Sequence, residues 1–294
     1  MRWMPTAALE RPNPSPLPEG EGASKPSPSG RGLGEGEADP IALRSQTLVT
    51  GFTRYLRWYT ARNFHAVRVA RAGVPDIPAG RPVILYGNHP SWWDPTIYYL
   101  LAGRFMPQHR GFAPMDAASL ARYRVFRRLG VFGIEPGPRG AARFLRVSRE
   151  VLADPRNALW ITAEGDFTDA RERPVRLRPG LAHAVRATPE ATVLPLALEY
   201  PFWNERKPEA LARFGPPIAT GGARDIAALT RQLAGALESS MDALASDSRR
   251  RDPALFVTLH RGTVGVGGAY DIGRRARALL AGRRFDPSHE PNSQ

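Results

Sequence analysis

The stretch from residue 83 to residue 101 carries the residue types best suited to acid–base chemistry. It reads VILYGNHPSWWDPTIYYLL. The apolar run at 83–86 predicts a buried strand, a polar break follows, and a helix is predicted to begin with Ser91 as its cap. His89 would then stand at the carboxyl end of a strand, where open α/β sheets bind their ligands. Asp94, in the first helical turn, could orient the imidazole, and an oriented imidazole is a general base.

A purely structural role explains the same spacing. Ser91 and Asp94 fit a capping box, in which the carboxylate accepts a hydrogen bond from the N–H of the capping residue and touches no histidine. Spacing alone leaves both interpretations open. Of the six histidines, only His89 has an acidic residue five positions later.

Patterns typical of strands and helices alternate on both sides of this stretch. Further strands are predicted at 111–115, 131–135, 158–163 and 193–200, with an edge strand at 214–218; helices are predicted at 120–129, 141–153, 181–187 and 226–244. This alternation predicts an α/β fold, a mixed β-sheet flanked by helices.

The chain ahead of this domain divides into a tail and a helix. Residues 1–40 are rich in Pro, Gly, Ser and Glu and lack the apolar segment of a signal peptide, so we expect a disordered tail. Residues 41–73 predict an amphipathic helix with arginines among Trp, Tyr and Phe. Such a helix suits a membrane interface, and packing on its own domain explains it equally well. No apolar run reaches the roughly 18 residues of a membrane span.

The main domain is predicted over residues 80–220, after a Pro- and Gly-rich linker at 74–82. A C-terminal helical extension is predicted at 221–285, with a basic helix at 269–285. Residues 286–294 are predicted to be a disordered tail.

Composition narrows the possible functions. The 294 residues include no cysteine, which excludes a disulfide framework, zinc–thiolate sites and a cysteine nucleophile. The net charge of +13 favours an anionic partner such as lipid headgroups, nucleic acid or an acidic carrier protein. The arginines are spread along the chain without a nucleic-acid-binding signature, so we expect no nucleic-acid partner. A serine hydrolase is disfavoured because no G-x-S-x-G motif occurs.

Two blocks of the sequence resemble the lysophospholipid and glycerolipid acyltransferase family, which includes the 1-acylglycerol-3-phosphate acyltransferases. Asn88, His89 and Asp94 match its NHx4D motif. Glu164 and Gly165, in the block WITAEGDFTD, are similar to its Phe-Pro-Glu-Gly-Thr-Arg-Ser block. Two weaker blocks follow in the family's order, LRPGLAHA at 177–184 and VLPLAL at 193–198.

The resemblance implies an O-acyltransferase that moves a fatty acyl group from acyl-CoA or acyl carrier protein to a lipid hydroxyl. His89 would be its general base and Asp94 the orienting acid, while Asn88, Glu164 and Gly165 would help to bind substrate. It implies no metal and no cofactor beyond the acyl thioester. The implied partners are a membrane lipid acceptor and an anionic membrane surface. The protein would then be peripheral or monotopic on the cytoplasmic face of the inner membrane.

Two departures from the family pattern concern the acceptor. Asp166 and Phe167 stand where the family has Thr and Arg. The family also places an acceptor-binding arginine near 134–136, where this chain has Ile-Glu-Pro. Arg139 and Arg143 are the nearest candidate phosphate ligands. A glycolipid, a carotenoid glycoside or an ornithine-type lipid therefore stays open as acceptor, and a catalytically inactive membrane-surface protein of the same fold is a further alternative.

Overall fold

A computed structural model describes residues 39–220 and 225–262 of the chain. The helices are α1 (Pro40–Leu43), α2 (Gln46–Asn63), α3 (Asp94–Phe105), α4 (Ala117–Arg122), α5 (Pro138–Leu152), α6 (Gly180–Ala187) and α7 (Ile226–Arg250). The strands are β1 (Ala66–Ala70), β2 (Val83–Gly87), β3 (Arg110–Asp116), β4 (Val131–Ile134), β5 (Asn157–Thr162), β6 (Thr192–Glu199), β7 (Glu209–Phe214) and β8 (Phe256–Arg261).

The strands of the described residues form one eight-stranded mixed sheet in the order β4-β3-β5-β2-β6-β7-β1-β8. The five strands from β4 to β6 are parallel. β7 then runs antiparallel to β6, β1 runs parallel to β7, and β8 closes the edge antiparallel to β1. The predicted α/β fold is confirmed, and β2 lies in the middle of the sheet.

Helices cover both faces of the sheet, and β2 contributes alternate side chains to each face. Val83 and Leu85 pack in a core with α2 and α3. Ile84 and Tyr86 pack in a second core with α5, α6 and α7. All five residues of β2 are buried, as expected of a strand buried on both faces of a parallel sheet. The chain that leaves β2 at His89 therefore starts from a rigid position.

The predicted helix over residues 41–73 is wrong after Asn63. Residues 66–70 form β1 instead, and all five are buried. Arg68 lies inside the predicted helix, but in the structure it belongs to β1 and its side chain is fully buried. Its Nε donates to Glu209 Oε2 at 2.9 Å, and Nη1 donates to Thr258 Oγ1 at 3.0 Å. These distant partners make an arginine tolerable inside a strand, and local periodicity does not reveal them.

The predicted domain limits of 80–220 are also too narrow. β7 is an internal strand at 209–214, so the predicted edge strand at 214–218 is wrong. The predicted helical extension at 221–285 contains a helix, α7, but also β8, which pairs with β1 in the same sheet. Residues 120–129 divide into α4 and a 3₁₀ segment, Arg124–Leu129. The predicted tails, except for residues 39 and 40, and the predicted helix at 269–285 lie outside the described residues.

The buried charges of β1 and β7 generate a stability prediction. Glu209 is 1% exposed and also bonds the Nδ1 atom of His65. Glu209→Gln removes the negative charge and leaves Arg68 buried without it, so the free energy of unfolding should fall by about 3 kcal/mol. Urea denaturation measures this difference.

The matched control is Glu150→Gln. Glu150 pairs with Arg146 on the surface of α5, with both side chains about half exposed. An exposed pair of this kind contributes about 0.3–0.5 kcal/mol. Equal losses in the two variants would contradict the role assigned to the buried charges.

Candidate active site

The candidate site lies at one edge of the sheet, beside the ends of three neighbouring parallel strands. β2 lies between β5 and β6, so the loops that follow these three strands meet at their carboxyl ends. The loop after β2 carries His89, the loop after β5 carries Glu164, and Tyr200 directly follows β6. Residues far apart in sequence are thereby brought within hydrogen-bonding distance.

His89 and Asp94 form the contact that their spacing suggested. His89 Nδ1 lies 2.6 Å from Asp94 Oδ2. The Asp94 side chain is fully buried, whereas that of His89 is 16% exposed. An ionised Asp94 requires the hydrogen to be on Nδ1, which leaves Nε2 to accept a proton from a substrate. This is the geometry of a general base held by an acid.

The N–H contact of the capping box is present as well, although the same carboxylate also contacts the histidine. Asp94 Oδ2 accepts a hydrogen bond from the Ser91 N–H at 3.3 Å. Ser91 Oγ in turn accepts from the Trp93 N–H at 3.2 Å. The helix itself begins at Asp94, with Trp93 at the cap position, two residues later than predicted. The same carboxylate therefore orders the turn and orients the imidazole.

Tyr200 binds the second oxygen of Asp94 and was not predicted as a site residue. Its hydroxyl donates to Asp94 Oδ1 at 2.6 Å. Burial and the Asp94 charge raise the pKa of Tyr200 well above its ordinary value, so the hydroxyl stays protonated as a donor. Burial also raises the pKa of Asp94, and the bonds from His89, Tyr200 and Ser91 oppose that rise. Both carboxylate oxygens are thus engaged.

Glu164 connects the loop after β5 to the backbone of His89. Its Oε2 accepts a hydrogen bond from the His89 N–H at 3.0 Å, and the Thr168 N–H donates to the His89 carbonyl at 3.0 Å. Partial burial raises the pKa of Glu164, and the His89 N–H opposes that rise. Gly165 has a φ of +82°, and a Cβ there would collide with Arg178. The Glu-Gly pair therefore positions His89.

The part of the chain that contains most of this site matches a known protein family. Residues 68–199 match the family model described as Acyltransferase. The protein is an enzyme with an acyltransferase domain. The match begins inside β1 and ends with the last residue of β6, so it contains the His89–Asp94 pair and Glu164. No curated protein matches the chain.

Asn88 has a positioning role in the acyltransferase domain. Its Nδ2 donates to the Leu198 carbonyl at 3.0 Å, and its Oδ1 accepts from the Leu198 N–H at 2.8 Å. The side-chain amide thus joins β2 to β6 beyond Gly87, where the backbone pairing of the two strands ends. These two bonds occupy both ends of a buried side chain, and the substrate contact implied for Asn88 stays a prediction.

Phe167 lies against the imidazole and was noted in the sequence only as a departure from the family pattern. The ring centroids of Phe167 and His89 are 4.4 Å apart, with 34° between the ring planes. Phe167 is nevertheless 64% exposed. No pattern in the sequence signals this contact, because it depends on the loop after β5 folding over the loop after β2.

The two predicted phosphate ligands lie at the same edge of the sheet but further along it. Arg139 and Arg143 belong to the first turns of α5, which follows β4. β3 and β5 separate β4 from β2, and three strand spacings amount to about 14 Å. The structure thus brings His89, Asp94, Asn88, Glu164 and Gly165 together, whereas the two arginines follow a strand that is three positions from β2 in the sheet.

The residues that the structure describes contain neither a metal-binding cluster nor a membrane-spanning helix. Within them, no group of three or more His, Cys, Asp or Glu side chains could hold a metal ion. No helix within the same residues is long and apolar enough to cross a membrane.

Tyr200 generates a prediction about pH dependence. Tyr200→Phe removes one of the bonds that lower the Asp94 pKa, so that pKa should rise further. Because Asp94 must be ionised to hold the hydrogen on His89 Nδ1, the acid limb of the rate profile should move to higher pH, with kcat about tenfold lower on that limb. The measurement is acyl transfer between pH 5 and 9. An unshifted acid limb would contradict this role of Tyr200.

Proposed function

We propose that the protein is an O-acyltransferase of the lysophospholipid and glycerolipid type, which moves a fatty acyl group from an acyl thioester to a lipid hydroxyl. The observation that carries the proposal is the 2.6 Å contact between His89 and buried Asp94 inside the acyltransferase domain. The chain has no cysteine. Direct transfer assisted by a histidine base therefore explains the site better than a thioester on the enzyme would.

The proposed reaction proceeds in two proton transfers. The acceptor hydroxyl oxygen attacks the thioester carbonyl while His89 Nε2 takes the hydroxyl proton. The carbon–sulfur bond then breaks, and the imidazolium gives the proton to the leaving thiolate. Asp94 stabilises the imidazolium through Nδ1 in both steps. Tyr200 supports this role because it keeps a hydrogen bond on the other Asp94 oxygen.

The donor in the proposal is acyl-CoA or acyl carrier protein, both of which carry the acyl group as a thioester. For the acceptor we favour a lipid whose reacting hydroxyl has no phosphate beside it, such as a glycolipid, carotenoid glycoside or ornithine-type lipid. The separation of Arg139 and Arg143 from His89 supports this choice.

We further propose that the enzyme works at an anionic membrane surface, on the cytoplasmic face of the inner membrane, as a peripheral or monotopic protein. One face of α2 supports this: Tyr55 and Trp58 are 50% and 51% exposed, and the guanidinium of Arg62 lies 4.3 Å from the Trp58 ring centroid. No acidic residue occurs between 46 and 63. Aromatic rings with cations suit the headgroup region of a bilayer.

Ring contacts connect this face of α2 to the loop that carries His89. Tyr55 contacts Tyr59, Tyr59 contacts Trp93, and Trp93 contacts Trp92, with centroids 5.2–5.8 Å apart. Trp92 is 66% exposed. A bilayer bound at α2 would therefore lie close to the active site, where a lipid acceptor could enter without leaving the membrane.

The decisive experiment is substitution of the pair. His89→Ala and Asp94→Asn should each lower the rate of acyl transfer from palmitoyl-CoA by about 10²–10⁴, because the base or its orientation is lost. Lipid mass spectrometry of cells with the gene deleted identifies the acceptor for this assay. Thermal unfolding shows that the variants are folded.

The control is His183→Ala, which removes a histidine of α6 on the opposite face of the sheet. It should leave the rate unchanged. If His89→Ala transferred acyl groups as fast as this control, His89 would not be the base. If the unmodified protein transferred no acyl group to any acceptor that mass spectrometry identifies, the result would favour the inactive membrane-surface alternative.

The membrane proposal has its own test. Arg54→Gln combined with Arg57→Gln removes two exposed charges from α2 and should weaken binding to phosphatidylglycerol vesicles about tenfold or more, since each such charge contributes about 1 kcal/mol. Vesicle co-sedimentation measures the binding. The control, Arg149→Gln with Arg186→Gln, removes two charges from α5 and α6 on the opposite face. Equal weakening would mean that net charge alone drives the binding.

A further inference from the structure

An exposed phenylalanine beside the catalytic imidazole requires an explanation. The ring centroids of Phe167 and His89 are 4.4 Å apart, yet 64% of the Phe167 surface is exposed. Apolar surface is normally removed from water, at about 25 cal/mol for each Å² buried. Here the surface is instead left open beside the imidazole that acts as base in the proposed reaction.

The position of this ring is determined by the loop that carries it. The Thr168 N–H, one residue later, donates to the carbonyl of His89 at 3.0 Å. One residue earlier, Asp166 pairs with Arg178 at 2.9 Å, and Arg178 Nε also donates to the Glu164 carbonyl at 3.3 Å. Both neighbours of Phe167 are therefore held, and the ring is presented to the imidazole by a braced loop.

A ring in this place distinguishes between the two nucleophiles that His89 could activate. A lipid hydroxyl arrives with hydrocarbon that can cover the exposed ring, and this contact contributes to its binding. A water molecule gains no such contact, and the part of the imidazole that the ring covers is closed to it. The ring therefore favours one nucleophile and disfavours the other.

We propose that Phe167 is a specificity-determining residue that favours a lipid hydroxyl over water as the acyl acceptor at His89. The inference rests on the proposed acyl transfer with His89 as base. In the competing reaction, water attacks the thioester carbonyl, His89 Nε2 takes a proton from water, and the carbon–sulfur bond breaks. The thiolate then recovers the proton from the imidazolium, so the products are a free fatty acid and a thiol.

The experiment measures hydrolysis and transfer separately in the full-length protein. Thiol release from palmitoyl-CoA is followed without acceptor, and transfer is followed with 1-oleoylglycerol or 1-oleoylglycerol-3-phosphate in phosphatidylcholine–phosphatidylglycerol vesicles. Phe167→Ala should raise acceptor-free hydrolysis and lower transfer, so that the ratio of transfer to hydrolysis falls about tenfold or more. Phe167→Leu, which keeps apolar bulk, should retain a ratio close to that of the unmodified protein.

The matched control is Phe202→Ala. Phe202 lies in the neighbouring loop between β6 and β7 and is 63% exposed, so the same substitution changes the surface equally. It should leave the hydrolysis rate unchanged. If both variants lost transfer while acceptor-free hydrolysis stayed constant, Phe167 would be a membrane contact and the proposal would be wrong. A parallel loss of both activities in Phe167→Ala would also overturn it, because the ring would then only support the fold.

One further variant separates this proposal from the function on which it rests. Hydrolysis gained in Phe167→Ala must disappear in the double variant with His89→Ala. If it persists, or if the unmodified protein shows neither transfer nor hydrolysis that depends on His89, the assignment of His89 as base fails. If the dependence on His89 holds and the ratio does not change, only the role of Phe167 fails.

Discussion

The carboxylate of Asp94 is fully buried, and a buried carboxylate is stable only when hydrogen bonds replace the water that it has lost. Three groups from two parts of the chain supply those bonds: the Tyr200 hydroxyl, the Ser91 N–H and the His89 imidazole. The imidazole is thus one of the donors that Asp94 needs. One interaction therefore both stabilises the buried charge and orients the imidazole.

This requirement explains why the fold extends beyond the residues that match the acyltransferase model. Tyr200 directly follows the matched region, and Phe64 precedes it. The Phe64 ring packs against Trp93 at 4.8 Å and against Tyr200 at 5.8 Å. Phe64 stands between α2 and β1, and β1 is held in the sheet by β7 and β8. Segments outside the matched region therefore pack around the donor that Asp94 depends on.

The parts of the molecule that could be predicted from the sequence are those governed by local patterns. The apolar run of β2, the turn signals after it and the spacing of His89 and Asp94 all act over a few residues, and each was found. β1 was missed because Arg68 interrupts its apolar pattern, and the partners that neutralise it lie about 140 and 190 residues away in the chain. Tyr200 was missed for the same reason, since its hydroxyl meets Asp94 only after β6 pairs with β2.

The roles of Asn88 and Glu164 show a related limit. A motif identifies residues that a site requires, but it does not distinguish a residue that touches substrate from one that holds the base in place. The Asn88 amide forms hydrogen bonds to the Leu198 backbone through both Nδ2 and Oδ1, and Glu164 accepts a hydrogen bond from the His89 N–H. Asn88, the residue before His89, is thereby joined to β6, and Glu164 holds the His89 N–H, so both bonds restrict the position of the imidazole.

If the motif residues are occupied in mounting the base, selection of the acceptor must come from other groups at the same edge of the sheet. The loop after β5 is suited to this task, because Glu164 and Thr168 attach it to the backbone of His89 while Asp166 and Phe167 between them face outward. A loop anchored at both ends can change the residues in its middle without moving the base. Departures from the family pattern at those two positions are thus expected where the chemistry is kept and the acceptor differs.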